Sequence, residues 1–265
     1  MNPSFAVFGL ATGLITPGDD VAERIVAVAK ASECSGIVDG DILVLAESMV
    51  ATAEGRVVSL SAVTPSLQAV ELAKTYEMDP CTAEVVLRES DEVVGGIPHF
   101  LLCMTNGTLL PNAGVDGSNA PPGCLVPLPE DPDASAVRIR KSVEQRCNAK
   151  VAVIIADSRT HAMRSGCSGV AIGCAGIVSV IDDRGRSDLY GRKLEVTKRA
   201  VADNIASAAE LVMGEADEGM PAAIVRGLGL PISDDAVGVE SINADECLFM
   251  GLLQKRPNEK ESFLN

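Results

Sequence analysis

Tryptophan is absent from this chain of 265 residues, aromatic residues make up 3% of it, and there are two histidines. Without aromatic bulk the core has to be filled by Ala, Val, Ile and Leu, and a hydrophobic content of 47% is enough for a substantial one. With only His99 and His161, and no C-x-x-C pair among Cys34, Cys81, Cys103, Cys124, Cys147, Cys167, Cys174 and Cys247, zinc-ligand spacing is missing. The cysteines read instead as buried, reduced, small hydrophobes of a cytoplasmic protein. No apolar run reaches the ~18 residues of a membrane-spanning helix, and the start MNPSFAVFGL lacks the pattern of a signal peptide. Positive charge is also scarce. A formal net charge of −15 with no basic block argues against nucleic acid or an anionic membrane as partner. Bound cations would reverse that field locally, which leaves room for a metal-assisted site acting on an anionic ligand. The G-x-x-x-x-G-K-[ST], G-x-G-x-x-G and G-x-S-x-G signatures are all missing.

What is present suggests α+β, because strands and helices mix without a regular βαβ rhythm. Short apolar runs predict strands over residues 42–46, 56–60, 100–105, 108–110, 151–156 and 222–226, and the Gly-rich run 166–176 should be extended. Helices are expected after the Asp19-Asp20 cap, over 65–76 (Leu67, Val70, Leu72 and Ala73 inward), 80–88 and 135–147. The longest helix is expected over 195–213, with Ala200, Val201, Ile205, Ala208, Leu211 and Val212 along one side. A short helix is expected near 246–253. The segment 47–56, ESMVATAEGR, breaks the apolar pattern. The Pro-rich acidic loop 121–133 is the best boundary between two interleaved lobes of mostly antiparallel sheet and packed helices, followed by a divergent tail, 231–265.

Three acidic turns follow apolar elements: Asp116 in LPNAGVDGSN, Asp157-Ser158 after a strand, and Glu215 in MGEADEGMP. A carboxylate at a strand end among Gly and Asn suits a hard cation with positions left open for phosphate. It equally suits an Asx turn on the surface. Arg159, Arg164, Arg184, Arg186 and Arg192 gather around the Gly-rich run and could meet phosphates, or form a solvated basic loop.

At these stretches the chain resembles the coenzyme F420-0:L-glutamate ligase family. The matches run in order along most of the chain: Gly18-Asp19-Asp20, Ala53-Glu54-Gly55-Arg56, Glu89 to Val93, Asn112 to Asp116 with Ser118-Asn119, and Ile154 to Asp157. They continue with Asp188 to Arg192, Leu194 to Thr197, Val201 to Asp203, Met213 to Glu215 and Val225 to Leu228. The resemblance implies a GTP-dependent ligase that adds L-glutamate to a deazaflavin-linked phospholactate through an acyl phosphate. It also implies two Mg²⁺ or Mn²⁺ per site, with K⁺ as an optional addition, and a homodimer. By position Asp116 and Asp157 would hold one metal, and Ser158 and Glu215 the other. Asp116, Asp157 and Arg164 are the expected catalytic residues. Thr12, Gly13, Leu14, Ile15, Glu47, Ser48, Thr52, Asn119, Met213, Gly214, Glu215, Ala216, Asp217, Glu218, Gly219 and Met220 would line the nucleotide.

Departures fall in the same site. Thr52 stands where the family has a phosphate-contacting Lys, Glu47-Ser48 where it has Ser-Thr, and Ser158 where it has Thr. His161 and Ser165 stand where it tends to have Arg. Each lost hydrogen bond to a charged phosphate is a loss of about 1.5–3 kcal/mol. These departures keep two alternatives open: a related ATP/GTP-dependent amide ligase with another acid or amine, and a non-catalytic nucleotide-binding relative.

Overall fold

The structure is a computed structural model and describes residues 4–254. In chain order the elements of its first half are β1 (Ala6–Leu10), α1 (Val21–Ala31), β2 (Ile42–Ala46), α2 (Glu47–Ala53), β3 (Val58–Ser59), α3 (Leu67–Thr75), α4 (Pro80–Glu89), β4 (Glu92–Ile97), β5 (Phe100–Thr105), β6 (Thr108–Pro111) and β7 (Cys124–Leu125). The second half holds α5 (Pro132–Cys147), β8 (Ala152–Thr160), β9 (Cys167–Ala175), β10 (Val180–Asp182), β11 (Lys198–Ala200), α6 (Val201–Met213), β12 (Ala222–Arg226) and α7 (Leu248–Gln254). The tail beyond Gln254 lies outside the described residues.

The apolar runs assemble into one five-stranded sheet, ordered β1-β12-β2-β8-β9. β2 and β8 pair in parallel, with Ile42 opposite Ala152 and Ala46 opposite Ala156; the other strand pairings are antiparallel. The fold is thus α+β with mixed, open sheets. The central strands are apolar throughout because both of their faces are covered. Alternate residues go to opposite sides. Leu43, Leu45, Val153, Ile155, Ala222 and Ile224 meet Ile25, Ala29, Ile139 and Val143 of α1 and α5. Ile42, Val44, Ala152, Ile154, Ala223 and Val225 meet Val201, Ile205, Ala206 and Ala209 of α6. In β9 two glycines permit close helix approach. A Cβ on Gly169 would lie 2.6 Å from the Ala206 carbonyl oxygen of α6, and one on Gly173 would lie 2.5 Å from Pro132 of α5. A bulge between the Ile155 and Ala156 pairings lets these two, four residues apart, face opposite helices.

Between α2 and α5 the chain builds a second core of its own. β4-β5-β6 and the short β3-β7 pair, with α4, enclose Val85, Val86, Leu101, Cys103, Ala113 and Val115. Arg56 fastens this part to its surroundings, through Glu89 (2.5 Å) and the Leu128 carbonyl (2.9 Å). Glu54 accepts from Ser135 and Arg138 at the start of α5.

Several elements differ from the expectation. Residues 47–53 form a helix because Met49, Val50 and Ala51 are buried, although Ala46 caps it without a side-chain bond. Residues 195–200 are not helical. Lys198–Ala200 pairs with β10, and Arg199 reaches Asp183, so tertiary pairing overrides the helical preference there. The longest helix among the described residues is therefore α5, with 16 residues. On α6 the inward side chains are Val201, Ala202, Ile205, Ala206 and Ala209, while Leu211 is exposed. On α3 small residues set the contact: Ala69 and Ala73 meet Ala83 of α4, leaving Leu67 and Val70 outward. β4 was not anticipated. All eight cysteines are free, but only Cys34, Cys103 and Cys174 are buried, and Cys167 is exposed.

Candidate functional site

Sheet direction decides what meets what. β1, β2 and β8 end at the same edge at which β9 and β12 begin. That edge therefore collects the 12–15 loop after β1, Glu47 after β2, Asp157-Ser158 of β8, Cys167 of β9 and the 213–220 turn before β12. The backbone N–H of Ala46, next to Glu47, donates to the Pro221 carbonyl and ties the end of β2 to the end of the 213–220 turn (2.8 Å). The carboxyl ends of parallel strands are a common place for ligands in open sheets.

Asp116 reaches this edge from the second core. Its backbone pairs with Val126 in both directions, at 3.1 and 2.8 Å. Its Oδ1 accepts from the Ser118 N–H and hydroxyl, at 2.9 and 3.0 Å, so the Asx turn is real. That bond fixes one carboxylate oxygen and leaves the other to a ligand. Asn119, with φ of 55°, donates its side-chain amide to the Ala216 carbonyl at 3.3 Å, tying the Asp116 turn to the 213–220 turn.

Consecutive residues of β8 point to opposite faces, which divides the acidic groups in two. On the side of Asp157 are Glu47 and Asp116. Burial and the Asp157 charge push the Glu47 carboxyl up to about 8. Burial also raises Asp157, against the pull of Arg159, whose Nε lies 3.2 Å from it. On the side of Ser158, which faces α6, are Cys167, Glu210 and Glu215. Burial, then the neighbouring Glu215, pushes Glu210 up to about 7. Burial and both glutamates raise the Cys167 thiol. Both groups hold more carboxylate than nearby positive charge, the condition that favours bound cations. The buried Oε1 of Glu210 has no hydrogen-bond partner among the described residues. The donor set of carboxylates and a hydroxyl fits divalent cations.

The remaining expected residues are placed as follows. Thr12 is buried, with its hydroxyl on the Gly13 carbonyl (3.0 Å), Gly13 has φ of 69°, Leu14 is exposed and Ile15 packs on the α1 side of the core. Ser48 and Thr52 are partly buried on α2. In the 213–220 turn, Gly214 has φ of 73° and a Cβ there would strike the Glu218 carboxylate at 2.2 Å; Glu218 in turn accepts from the Ala216 N–H at 2.8 Å. Asp217 and Gly219 are exposed, and Met220 packs its sulfur over Gly9 of β1. Arg164 lies in the exposed turn joining β8 to β9 and forms no ion pair among the described residues. The arginine group does not converge: Arg184 pairs with Asp182, and Arg186 with Asp183, on their own arm. His161 shares a 2.7 Å hydrogen bond with Ser168.

Glu210 and Cys167 were missed from the sequence. Glu210 is a charge on an otherwise apolar helix end, which could have drawn notice. Cys167 becomes visible only with the hairpin register, since Thr160 opposite Cys167 and Ser158 opposite Gly169 put all four on one face.

A sequence profile of the F420-0:gamma-glutamyl ligase family matches residues 9–227. Curated relatives named coenzyme F420:L-glutamate ligase are similar over most of the chain. That of Methanopyrus kandleri is 46% identical over 81% of this chain and 83% of its own length. The one from Methanothermobacter thermautotrophicus is 43% identical over 81% and 85%, and that of Archaeoglobus fulgidus 41% identical over 85% and 88%. Among the described residues no helix is long and apolar enough to cross a membrane.

Proposed function

The chain belongs to the F420-0:gamma-glutamyl ligase family, and from that premise we propose that it joins L-glutamate by an amide bond to the carboxylate of a deazaflavin-linked phospholactate, driven by GTP. The acceptor carboxylate takes the γ-phosphoryl group of GTP, releasing GDP. The amine of glutamate then attacks the acyl phosphate carbon and loses a proton, and inorganic phosphate leaves.

The single observation that carries this reading is the gathering of Glu47, Asp116, Asp157, Glu210 and Glu215 from separate segments at one sheet edge, where only Asp157 has an ion-pair partner among the described residues. Asp116 and Asp157, joined by Glu47, would hold one divalent cation, and Ser158 with Glu215 the second. Such cations, when bound, would spread the charge that moves in phosphoryl transfer. The protein's own part is positioning. Ser118 fixes the Asp116 carboxylate, Arg159 orients Asp157, and Asn119 holds the nucleotide-facing turn in place. A ligand-free edge this acidic would repel GTP, so nucleotide and cations should bind together.

The test is incubation with GTP, Mg²⁺ or Mn²⁺, L-glutamate and the deazaflavin phospholactate. GDP, phosphate and the glutamylated product should form in equal amounts. Turnover only with another acid, or with ATP alone, would instead support the related amide ligase. Thr52 and the arginines already paired with Asp182 and Asp183 favour that second reading. We also propose a homodimer, supported by the exposed Leu189, Tyr190 and Val196 on the arm between β10 and β11. Leu189→Asp should halve the mass measured by light scattering.

A further inference from the structure

The second core is a stretch of chain that leaves the main body after α2 and returns to it before α5. Arg56 stands at the departure and Leu128 at the return, 72 positions apart in sequence, and Arg56 Nε donates to the Leu128 carbonyl at 2.9 Å. The backbone of Arg56 belongs to the main body. Its N–H donates to the Ala51 carbonyl of α2 at 2.9 Å, and Met49 and Val50 of that helix lie in the main core. Its Nη2 pairs with Glu89 at the end of α4, at 2.5 Å. One residue thus joins α2, the returning segment and α4. Both elements gripped by its side chain bear on Asp116. In the returning segment, Val126 exchanges two backbone hydrogen bonds with Asp116, at 2.8 and 3.1 Å. Leu128 packs on the backbone of Gly114, where φ is 73° and a Cβ would lie 2.6 Å from the Leu128 Cγ. From α4, Val85 and Val86 enter the core that holds Ala113 and Val115. Glu47 opens α2, so the path from Glu47 to Asp116 runs along that helix, through the Arg56 side chain and into the segment paired with Asp116.

We propose that Arg56 is a positioning residue: it sets the Asp116 carboxylate against Glu47 and Asp157, acting through Asp116 rather than as a ligand itself. The proposal deepens the functional reading above and rests on it through Asp116. Precision is what the site demands. Mg²⁺ and similar cations accept carboxylate oxygens only in a near-ideal arrangement. Glu47 and Asp157 stand on the central sheet and the helix that follows it, whereas Asp116 arrives from a part of the chain with its own core. A carboxylate delivered in that way needs a rigid support behind it. The planar guanidinium provides one, because Nε and Nη2 project together and address the Leu128 carbonyl and the Glu89 carboxylate in one fixed geometry. Lysine, a single charge on a flexible stem, cannot make both contacts in that way. Arg56 and Glu89 are also largely shielded from solvent, which protects the pair from screening by salt.

The test measures Mn²⁺ affinity by electron paramagnetic resonance, and ligase turnover, with GTP present, in the full chain as wild type, R56Q, R56K, D116A and R56Q combined with D116A. R56Q should weaken Mn²⁺ binding about tenfold and raise by a similar factor the Mn²⁺ concentration that gives half-maximal turnover. The KM for L-glutamate should stay constant. R56K keeps a charge for Glu89 and loses the second donor, so it should fall between wild type and R56Q. In the D116A background R56Q should add nothing, because the carboxylate it positions is gone. Circular dichroism and thermal melts check that each variant is folded at the assay temperature; should R56Q not fold, R56K carries the same comparison. Wild-type Mn²⁺ affinity in R56Q, a loss repeated in full on top of D116A, or a KM for L-glutamate that rises in step would each overturn the proposal. A wild type that neither binds Mn²⁺ nor turns over overturns the ligase reading. A wild type that does both, with R56Q indistinguishable from it, overturns the role of Arg56 alone.

Discussion

The two ends of the central sheet treat charge in opposite ways. Below the start of β2, Asp41 is completely buried. Arg226 meets both of its oxygens at 2.7 Å, and the Val38 N–H adds a third bond at 2.8 Å. The same guanidinium donates to the carbonyls of Cys34 and Gly36 and lies 5.6 Å from the centre of the Phe8 ring. At the other end of the same strands, Glu47 and Asp157 are pushed toward their protonated forms, and one oxygen of Glu210 has no hydrogen-bond partner among the described residues. One end spends its charges on holding β12 against the β1–α1 side of the fold. The other leaves them available, and perturbed carboxylates of that kind concentrate at functional sites.

This contrast predicts a separation of stability from activity. The largest effect is expected at the paired end. Asp41→Ala removes two charge-assisted hydrogen bonds from the partly buried Arg226 guanidinium and should lower unfolding free energy by about 3–5 kcal/mol in urea denaturation, whereas Asp157→Asn should leave it unchanged or raised. Equal losses from the two would erase the distinction. Next, Asp116→Ala should reduce kcat by about 10²–10³-fold at nearly constant Tm; turnover near wild type would remove Asp116 from the site.

A smaller effect concerns pH. The Glu47 carboxyl in the folded chain is pushed up to about 8, from an ordinary 4.5. Between those values the folded state keeps a proton that the unfolded state has released. Cation-free protein should therefore lose stability as pH rises through that window. Glu47→Gln should flatten the decline, and a pH series of thermal melts shows whether it does. The smallest effect is expected from Thr52→Lys, which should tighten GTP binding about tenfold by restoring one charged contact, as read by calorimetry. No change would place residue 52 away from the phosphates.

Much of this architecture was legible in the sequence, for a physical reason. β2, β8 and β12 are covered on both faces, so they appear as unbroken apolar runs. Asp116, Asp157 and Glu215 stand out because each follows an apolar stretch of the sequence, although Asp157 proves to lie within β8 rather than in a turn after it. What could not be read depends on pairing between distant segments. α2 is a helix through burial of Met49 and Val50, with no side-chain cap to announce it. Residues 198–200 are claimed by β10 before α6 can extend over them. The arginines around the Gly-rich run look like one basic cluster, yet Arg184 and Arg186 are taken by adjacent aspartates. Cys167 and Glu210 meet only because Gly169 lets α6 lie directly on the β8–β9 hairpin.

The most direct measurement is Mn²⁺ binding followed by electron paramagnetic resonance, with and without GTP, in wild type, Asp116→Ala and Asp157→Asn. The account predicts that wild type binds Mn²⁺ more tightly with GTP present, and that both variants lose this enhancement while remaining folded. Equal Mn²⁺ affinity in all three proteins, with or without GTP, would contradict it.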